Sequence, residues 1–467
     1  MKILITSDNH LGYNETDIIR GDDSFNTFQE ILKQANDENV DFILQGGDLF
    51  HYNKPSRNTY NKTVNLLTEN CLGENSLVIF KNTQEPNRSV QTNVFLNKDQ
   101  QDVNIRMPII SIHGNHDDPS GHNSVSPLDI LNSAKFINYV GKVETSDEII
   151  IKPILIEKSG VKIALYPLGY IKDRRLYRMF TKNKVIFDRP DSDEYYNILM
   201  VHQNRVFRNE EYLPLEFIPE WFNLAIYGHE HASIKLTEKN LDVIQVGSSV
   251  RTSLSLDETG AKYSYLLEFI DSEWKITRKE LKTVRSFILD AIKITGSNIE
   301  DQIKEKLNLM LSKIQREENN DLLPLIRLKV EMDNEKNLNR YSLKAFVEDK
   351  IANPNDFIRI TRKVDKKTDT TVSVSKTITM NDIFLKMLQR ENLVTLKETK
   401  IVDALNEFIN RSNKNSFTQI LQESKTKLFE KINVKDLVSD EIENLIKEIS
   451  SKLFNDDVQI KKLKLTE

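Results

Sequence analysis

Short apolar runs alternate with amphipathic stretches over the first 270 residues or so of the chain. The runs are rich in β-branched and aromatic residues and end at polar or glycine positions, so they predict buried strands. These strands are Ile3–Thr6, Phe42–Leu44, Ile109–Ile112, Val161–Tyr166, Ile198–Val201 and Leu224–Tyr227. Between them, residues 25–36 and 58–70 carry apolar side chains at helical spacing, for instance Phe28, Ile31 and Leu32. This alternation indicates an α/β fold.

One stretch interrupts the first predicted domain, which we place at residues 1–280. Residues 82–103 are rich in Asn, Gln and Asp and show little periodicity. A polar, aperiodic stretch of this length predicts a surface insertion. The insertion could serve a partner, or it could be a loop that the fold merely tolerates.

The composition changes after residue 280, and we expect a second domain over residues 281–380. Strand-like runs at 286–294, 325–331 and 357–364 accompany a long amphipathic helix at 299–316. This content predicts a smaller α+β domain.

The last part of the chain, residues 381–467, is highly charged and carries apolar residues at three- and four-residue spacing. That spacing predicts amphipathic helices. Such helices bury little surface by themselves, so we expect a helical module that binds a partner. A self-contained bundle is the alternative.

Composition narrows the class of protein. The chain has 467 residues, 39% hydrophobic and 29% charged, with a net charge of -5. These values predict a soluble protein of two to three domains whose contacts with nucleic acid, if any, come from local patches. Cys71 is the single cysteine, which excludes an internal disulfide and favours a reducing compartment. No stretch approaches the roughly 20 apolar residues of a membrane span, so we expect no membrane partner.

Seven of the eight histidines fall where a predicted strand ends, together with two aspartates and one asparagine. In α/β sheets, functional groups gather beyond the carboxyl ends of the strands. Imidazole, carboxylate and amide donors without thiolate suit manganese, iron or zinc, and a pair of such ions can promote phosphoester hydrolysis. The sequence therefore predicts a dinuclear metal site formed by Asp8, His10, Asp48, Asn115, His202, His229 and His231.

Spacing assigns provisional roles within this set. Asp8 and His10 are separated by one residue at a strand end, so both side chains can reach one ion. The same spacing relates His229 to His231. Asp48 follows two glycines, which allow a close approach of the backbone, and it is the natural bridging carboxylate.

The remaining polar side chains project from different sides of the backbone. Asn115 offers an amide oxygen to the second ion, and His202 supplies the remaining nitrogen. His116 lies on the opposite side from Asn115, which suits a group that faces the substrate and donates a proton to the leaving oxygen. His51 could orient the phosphate or assist in a similar way. His113 is expected to be a buried histidine that supports the site.

The order of these motifs is similar to that of the calcineurin-like metallophosphoesterase superfamily. Longer strings resemble one family within it, the meiotic-recombination-eleven nucleases of double-strand-break repair, in their eukaryotic form. The strings are Asp8-Asn9-His10-Leu11-Gly12-Tyr13, Gly47-Asp48-Leu49-Phe50-His51, Asn53-Lys54-Pro55-Ser56-Arg57, Ser111-Ile112-His113-Gly114-Asn115-His116-Asp117-Asp118-Pro119, Leu176-Tyr177-Arg178-Met179-Phe180, His202-Gln203-Asn204-Arg205 and Gly247-Ser248-Ser249-Val250. The likeness covers residues 1 to about 290 and continues more weakly beyond them.

The resemblance implies a four-layer α/β/β/α metallophosphoesterase sandwich, followed by a capping domain that contacts DNA. It implies a two-manganese nuclease, acting as a 3′-to-5′ exonuclease on duplex ends and as an endonuclease on single strands or hairpins. The seven predicted ligands match the family's ligand positions. His116 matches its proton-donating histidine, and His51 matches a second active-site histidine. A role in the repair of chromosomal breaks implies a nuclear location.

The resemblance also implies partners. The family forms homodimers through helices that correspond to residues 57–72 and 126–132. The helical region 381–467 corresponds to the segment that grips the coiled-coil root of an SMC-like ATPase. The insertion at 82–103 corresponds to the place where eukaryotic members engage a nibrin-type adaptor.

Basic residues at one loop-to-helix segment support a nucleic-acid substrate locally. They are Lys172, Arg174, Arg175 and Arg178, with aromatic residues among them. Phosphate neutralisation by such a patch would make binding strongly dependent on salt. A solvated helix face is the alternative.

Two other functions remain open on the sequence. A phosphoprotein phosphatase, or another phosphodiesterase, could use the same metal core. A scaffold could bridge DNA ends and an ATPase without hydrolysis, although the complete ligand set argues against an inactive site.

Overall fold

The computed structural model describes residues 1–73, 79–81, 104–120, 123–143, 147–207, 211–270, 273–294, 298–317, 322–332 and 338–361. Within these ranges the strands are β1 Lys2–Thr6, β2 Phe42–Gln45, β3 Ile79–Lys81, β4 Ile109–Ser111, β5 Asn138–Tyr139, β6 Ile149–Ile151, β7 Ile154–Lys158, β8 Val161–Leu168, β9 Val185–Phe187, β10 Tyr196–His202, β11 Leu224–Gly228, β12 Ile234–Glu238, β13 Leu241–Gln245, β14 Tyr263–Ile270, β15 Glu273–Glu280, β16 Phe287–Lys293, β17 Leu325–Glu331 and β18 Ile358–Thr361. The helices are α1 Asp23–Asp37, α2 Arg57–Cys71, α3 Pro127–Ser133, α4 Asp173–Thr181, α5 Ile299–Glu317 and α6 Arg340–Val347. The predicted insertion at 82–103 and the predicted helical module at 381–467 lie outside the described residues.

Two mixed sheets form the body of the first domain. One is 6-stranded, with the order β15-β14-β1-β2-β4-β5, and the other is 7-stranded, with the order β12-β13-β11-β10-β8-β7-β3. Strands β1, β2 and β4 are parallel, and so are β8, β10 and β11. The carboxyl ends of each parallel set therefore lie at one edge of their sheet. Strand β10 is buried along its whole length, which explains the continuous apolar run from Ile198 to Val201 within it.

Hydrophobic clusters separate the layers of this domain. Between the two sheets, Ile5 and Leu44 of the first pack with Ile198 and Ile226 of the second. Helices α1, α2 and α3 cover the outer face of the 6-stranded sheet. Helix α4 and the short sheet of β6 and β9 cover the outer face of the 7-stranded sheet. This is the expected α/β/β/α order, with two strands sharing the last layer with a helix.

Capping residues fix where two of the helices begin. The Ser56 hydroxyl accepts a hydrogen bond from the Thr59 N–H at 3.0 Å, at the start of α2. Ser126 and Asp129 form a reciprocal capping box at the start of α3, and Pro127 occupies the first turn. Each helix therefore starts at a defined residue shortly after a loop that carries histidines.

The second domain contains the parallel sheet β16-β17-β18. Helix α5 connects β16 to β17, and α6 connects β17 to β18, so helices and strands alternate here rather than being segregated as in the expected α+β arrangement. Parallel neighbours require such crossover connections. Ile303 and Leu307 of α5 and Leu343 of α6 pack on Leu328 and Val330 of the central strand.

Arg285 connects the two domains. Its guanidinium donates hydrogen bonds to Asp23 Oδ2 at 2.7 Å, to the Ile19 carbonyl at 2.6 Å and to the Leu323 carbonyl at 2.9 Å. The described residues fall within one compact unit, Met1–Val364. Among them, no helix combines the length and the apolar character that crossing a membrane requires.

Candidate metal centre

The loops that follow the parallel strands of both sheets meet at one place. Asp8 follows β1, Asp48 follows β2 and Asn115 follows β4. From the other sheet, His202 ends β10 and His229 follows β11. Asp8 Oδ2 accepts a hydrogen bond from the His229 N–H at 3.1 Å, so the two sheets are joined directly at the site. The topology thus brings together residues that are far apart in sequence.

Two glycines allow the loops to come this close. Gly47 has a φ of +99°, and a Cβ there would overlap the imidazole of His202. A Cβ at Gly114 would overlap the carboxylate of Asp48. Neither position can carry a side chain without displacing a predicted ligand.

Several predicted ligands have left-handed backbone conformations. The φ angles are 50° at Asp8, 47° at His10, 53° at Asp48 and 82° at His229. Residues with a Cβ adopt this region rarely, at a cost of roughly 1–3 kcal/mol each. Such strain concentrates at functional sites, because the surrounding fold must over-determine it.

Asp8, His10 and His231 form a first ligand group, with their ligand atoms all within 4.8 Å of one another. The Nε2 atoms of His10 and His231 face each other at 3.3 Å. Asp8 Oδ1 is buried and has no hydrogen-bond partner among the described residues. A buried carboxylate oxygen needs a donor or a cation. A divalent cation bound by these atoms would satisfy all three residues.

Asp8, Asp48 and His202 form a second group within the same 4.8 Å limit. Asn115 Oδ1 lies 3.3 Å from His202 Nε2 and 2.8 Å from His229 Nδ1. Asp8 is common to both groups, whereas Asp48 belongs to the second. Five of the seven ligands predicted from the sequence therefore form two adjoining groups, and Asn115 and His229 lie beside the second, so that all seven are at one site that fits two cations.

Contacts behind the ligands select which imidazole nitrogen faces the site. His202 Nδ1 donates to the Gly46 carbonyl at 2.8 Å, which leaves Nε2 as the nitrogen that faces the other ligands. His231 Nδ1 donates to Glu258 Oε1 at 2.7 Å, with the same result. Such partners fix the tautomer and the orientation of a ligand histidine. Glu258 was not predicted, since it lies with Asp257 in a loop that carries none of the motifs recognised in the sequence.

His116 and His51 lie together beside the first group. Their rings stack with centroids 4.8 Å apart, and His116 Nδ1 donates to the His51 carbonyl at 2.8 Å. The backbone N–H of His116 donates to Asp48 Oδ1 at 2.8 Å. His51 Nδ1 is 3.3 Å from His10 Nδ1. A third possible group, His10 with His51 and His116, has no carboxylate to offset the charge of an ion.

His113 is not part of these groups. It is buried, with Nδ1 at 2.9 Å from the Tyr139 hydroxyl and Nε2 at 3.3 Å from the Tyr170 carbonyl. Burial lowers its pKa to about 3. His113 therefore supports the loop that carries Asn115, as the sequence suggested.

Asp117 is a second residue whose role the sequence did not reveal. Its carboxylate is buried and accepts backbone hydrogen bonds from Gly114 at 2.7 Å and from Phe50 at 3.2 Å. Burial and the neighbouring Asp48 raise its pKa to about 7. Asp117 thus links the loop after β4 to the loop after β2.

Burial and charge act in opposite directions at Asp48 and His202. Burial alone would raise the pKa of the Asp48 carboxyl, but the His202 imidazole beside it holds that pKa well below its usual range. Burial likewise disfavours charge on His202, yet the carboxylates of Asp48 and Asp8 raise its pKa to about 9. Without a bound cation, the proton on His202 therefore partly offsets the two carboxylates.

The predicted basic residues lie at the start of α4 or within it. They are Lys172, Arg174, Arg175 and Arg178. Arg174 is exposed and lies 3.5 Å from Glu211. The segment follows Tyr170, whose ring centroid lies 5.8 Å from that of His229. It therefore begins beside the metal centre.

Asp173 ties this segment to the site. It accepts hydrogen bonds from the backbone N–H of Asn204 at 3.2 Å and from the Asn204 side chain at 2.8 Å. Asn204 comes two residues after His202. The start of α4 is thus held against the loop that follows a ligand.

Two face-to-face sheets with these donors at the carboxyl ends of their strands define a calcineurin-like phosphoesterase, and the profile of that name matches residues 1–233. A second profile, the Mre11 DNA-binding presumed domain, matches residues 274–425. The chain belongs to the Mre11 family of double-strand break repair proteins. It is 35% identical to "Double-strand break repair protein MRE11" of Encephalitozoon cuniculi, over 96% of this chain and 84% of that protein.

Vertebrate relatives show the same likeness. The chain is 34% identical to the Homo sapiens protein of the same name, over 96% of this chain and 69% of that protein. It is 36% identical to the Gallus gallus protein, over 90% of this chain and 66% of that protein. The family and the fold expected from the sequence are thereby confirmed, and the metallophosphoesterase family implies divalent metal ions.

Cation binding should strengthen as pH rises, because an ion that takes Nε2 of His202 must displace its proton. Despite burial, the carboxylates of Asp48 and Asp8 raise the pKa of His202 to about 9, so below that pH each pH unit should raise the apparent affinity for the cation by up to about tenfold. The rise should stop once His202 has lost its proton. Calorimetric titration of the metal-free protein with Mn²⁺ between about pH 6.5 and 8.5, in two buffers of different ionisation enthalpy, counts the proton released. The same slope in a His202→Gln variant would contradict this assignment.

Proposed function

We propose that the protein is a metal-dependent DNA nuclease of double-strand break repair that hydrolyses phosphodiester bonds. The observation that carries the proposal is the pair of adjoining ligand groups with His116 beside them. Membership in the Mre11 family supports DNA as the substrate. We further propose 3′-to-5′ exonuclease activity on duplex ends and endonuclease activity on single strands or hairpins.

The proposed cofactor is a pair of Mn²⁺ ions, and the ligands are divided between them by the roles assigned from the sequence, since by distance Asp8 is common to both ligand groups. Asp8, His10 and His231 would hold the first ion. Asn115, His202 and His229 would hold the second, and Asp48 would bridge the two. A set of ligands that offers only nitrogen and oxygen atoms, without thiolate, suits Mn²⁺. When bound, such ions activate water and offset the charge of the phosphate.

His116 is proposed to donate a proton from Nε2 to the leaving oxygen. Its Nδ1 donates to the His51 carbonyl at 2.8 Å, which fixes the orientation of the ring. The hydrogen bond from its backbone to Asp48 holds this histidine beside the ligand groups. His51, stacked on it, is proposed to orient the phosphate.

The purified protein should cleave DNA with Mn²⁺ and should not turn over phosphopeptides. A labelled duplex, a hairpin and a phosphopeptide, each incubated with protein and Mn²⁺, would test this. The His116→Ala variant should still bind Mn²⁺ and DNA but should lose about 100-fold or more in cleavage rate, as expected for the loss of a general acid.

Each arm of this experiment excludes a different alternative. Turnover of phosphopeptides without cleavage of DNA would show a phosphatase, and binding of DNA without any cleavage would show a scaffold. Unchanged cleavage by the His116→Ala variant would remove His116 from the proton-donating role.

The proposed DNA-binding residues outside the metal centre are Lys172, Arg174, Arg175 and Arg178. Replacing Lys172 and Arg174 with alanine should weaken DNA binding for all sequences alike. It should reduce the slope of log affinity against log salt by about 1 for each phosphate that is no longer neutralised. Lys239→Ala is the matched control, because this exposed lysine lies at the turn before β13, which runs parallel to β11, and therefore at the end of the 7-stranded sheet away from the ligands. An unchanged salt slope in the double variant would refute a role for these two residues in binding DNA.

The proposed assembly has three interfaces. A homodimer would form through 57–72 and 126–132, and the exposed Ile130 on α3 supports this. Residues 381–467 would bind the coiled-coil root of an SMC-like ATPase, and residues 82–103 would bind a nibrin-type adaptor.

Variants separate these interfaces. Ile130→Glu should convert a dimer into a monomer in light scattering, whereas Ile270→Glu, at an equally exposed apolar position on β14, should not. Removal of 381–467 should abolish co-purification with the ATPase and leave cleavage intact, and removal of 82–103 should abolish only adaptor binding. A complex that survives its deletion would place that interface elsewhere.

The proposed cellular location is the nucleus, where chromosomal breaks are repaired. Fluorescence imaging of the tagged full chain would check it, and exclusion of the signal from the nucleus would refute it.

A further inference from the structure

Two ligand histidines of the metal centre, one from each ligand group, differ in how far they are buried. The His202 side chain is 0% exposed, and packing fixes its ring from all sides. The His231 side chain is 21% exposed, so its ring is not packed on every side. A ligand that is open to solvent on one side needs a hydrogen bond to keep its orientation.

Glu258 makes that hydrogen bond. Its Oε1 lies 2.7 Å from His231 Nδ1, on the side of the ring away from His10. The Thr252 hydroxyl lies 3.2 Å from the same nitrogen and is a neutral, weaker alternative. A carboxylate acceptor keeps the proton on Nδ1 and leaves the lone pair on Nε2, which is the atom that faces the site.

The Glu258 carboxylate is itself rigidly held. It is fully buried and accepts backbone hydrogen bonds from Thr252 and Ser253, each at 3.1 Å. Its pKa is lowered despite burial, because His231 and Lys262 favour the charged form. Lys262 also donates to the His231 carbonyl at 2.9 Å. The loop from 251 to 262 therefore forms hydrogen bonds with both the side chain and the backbone of His231.

Arg251 fastens this loop to the base of the second domain. Its buried guanidinium donates to the carbonyls of Glu258 and Gly260 and, at 2.6 Å, to the carbonyl of Arg285. The Arg285 side chain in turn donates to Asp23 in the first domain and to the Leu323 carbonyl at the edge of the second. A continuous run of hydrogen bonds thus connects the second domain to a metal ligand.

We propose that Glu258 is a positioning residue for His231 and that Arg251 and Arg285 fasten its loop to the second domain. Glu258 holds the His231 imidazole with Nε2 directed at the first ion, and displacement of the second domain would loosen that ion selectively. The inference rests on the proposed two-metal function, because it concerns the affinity of one of the two ions.

The test uses the metal-free full chain and Mn²⁺ as the probe. Calorimetry gives the affinity of each binding step, and electron paramagnetic resonance reports whether two Mn²⁺ ions are spin-coupled. In Glu258→Gln, which retains the size but loses the charge, one binding step should weaken about 10- to 100-fold and the other should stay unchanged. The coupled signal should then require correspondingly more Mn²⁺.

Asp257→Asn is the matched control, because it removes one negative charge from the same loop at the neighbouring residue. It should leave both binding steps unchanged. Glu258→Ala provides a second variant without an acceptor and should weaken the same step at least as much. Thermal unfolding of each metal-free variant shows whether it is folded before titration.

The possible results separate this inference from the proposed function. A wild-type protein that binds no coupled pair of Mn²⁺ ions would overturn the two-metal function itself. A normal pair in the wild type and an unchanged pair in both Glu258 variants would overturn only the role of Glu258.

A separate variant tests the role of Arg251. Arg251→Lys keeps the charge but cannot reach all three carbonyls, so it should weaken the same binding step several-fold. Combined with Glu258→Gln, its effect should be less than the product of the two single effects, since both act through one contact. Full independence of the two substitutions would overturn the connection to the second domain.

Discussion

Asp8 and Asp48 are buried next to each other, and offsetting their charge is the constraint on which the rest of the site depends. Two carboxylates removed from water repel each other and lose their hydration, so a fold that places them together needs positive charge between them. His202 supplies part of it as a proton, but Asp8 Oδ1 still has no hydrogen-bond partner among the described residues. Burial of this kind is stable when cations occupy the space, which makes metal binding part of the stability of these loops.

The same constraint explains the unusual backbone around the site. Directing several donors from separate strands at one small volume requires left-handed residues at Asp8, His10 and Asp48. It also requires glycine at 47 and 114, where the backbone passes directly against the side chains of His202 and Asp48. These features are unfavourable one by one. The packing of the strands beneath them offsets this unfavourable free energy, since β1, β2 and β10 are anchored in the apolar layer between the two sheets.

The sequence predicted the metal ligands, because histidines and aspartates follow one apolar run after another in a recognisable order. The strand ends at Asp8, Asp48 and His229 could be read in this way because buried parallel strands are continuous apolar runs. Glu258 and Asp117 could not, since each acts through a contact that exists only after folding. Helix α6 escaped prediction for a different reason, because 8 residues are too few to establish a helical period. The polar partners of a site therefore emerge from the tertiary structure, even where its ligands are evident in the sequence.

A metal core of this kind defines a reaction class more closely than a substrate, because the same ligands can serve many phosphoesters. Selectivity must therefore arise from what surrounds the core. With a net charge of -5, the chain as a whole does not attract DNA, so any attraction must be local. The α4 segment that we propose to bind DNA would meet that requirement, since it begins beside Tyr170 at the metal centre and is held to the loop after His202 through Asp173. Basic residues at that place would align a phosphate backbone with the ligand groups.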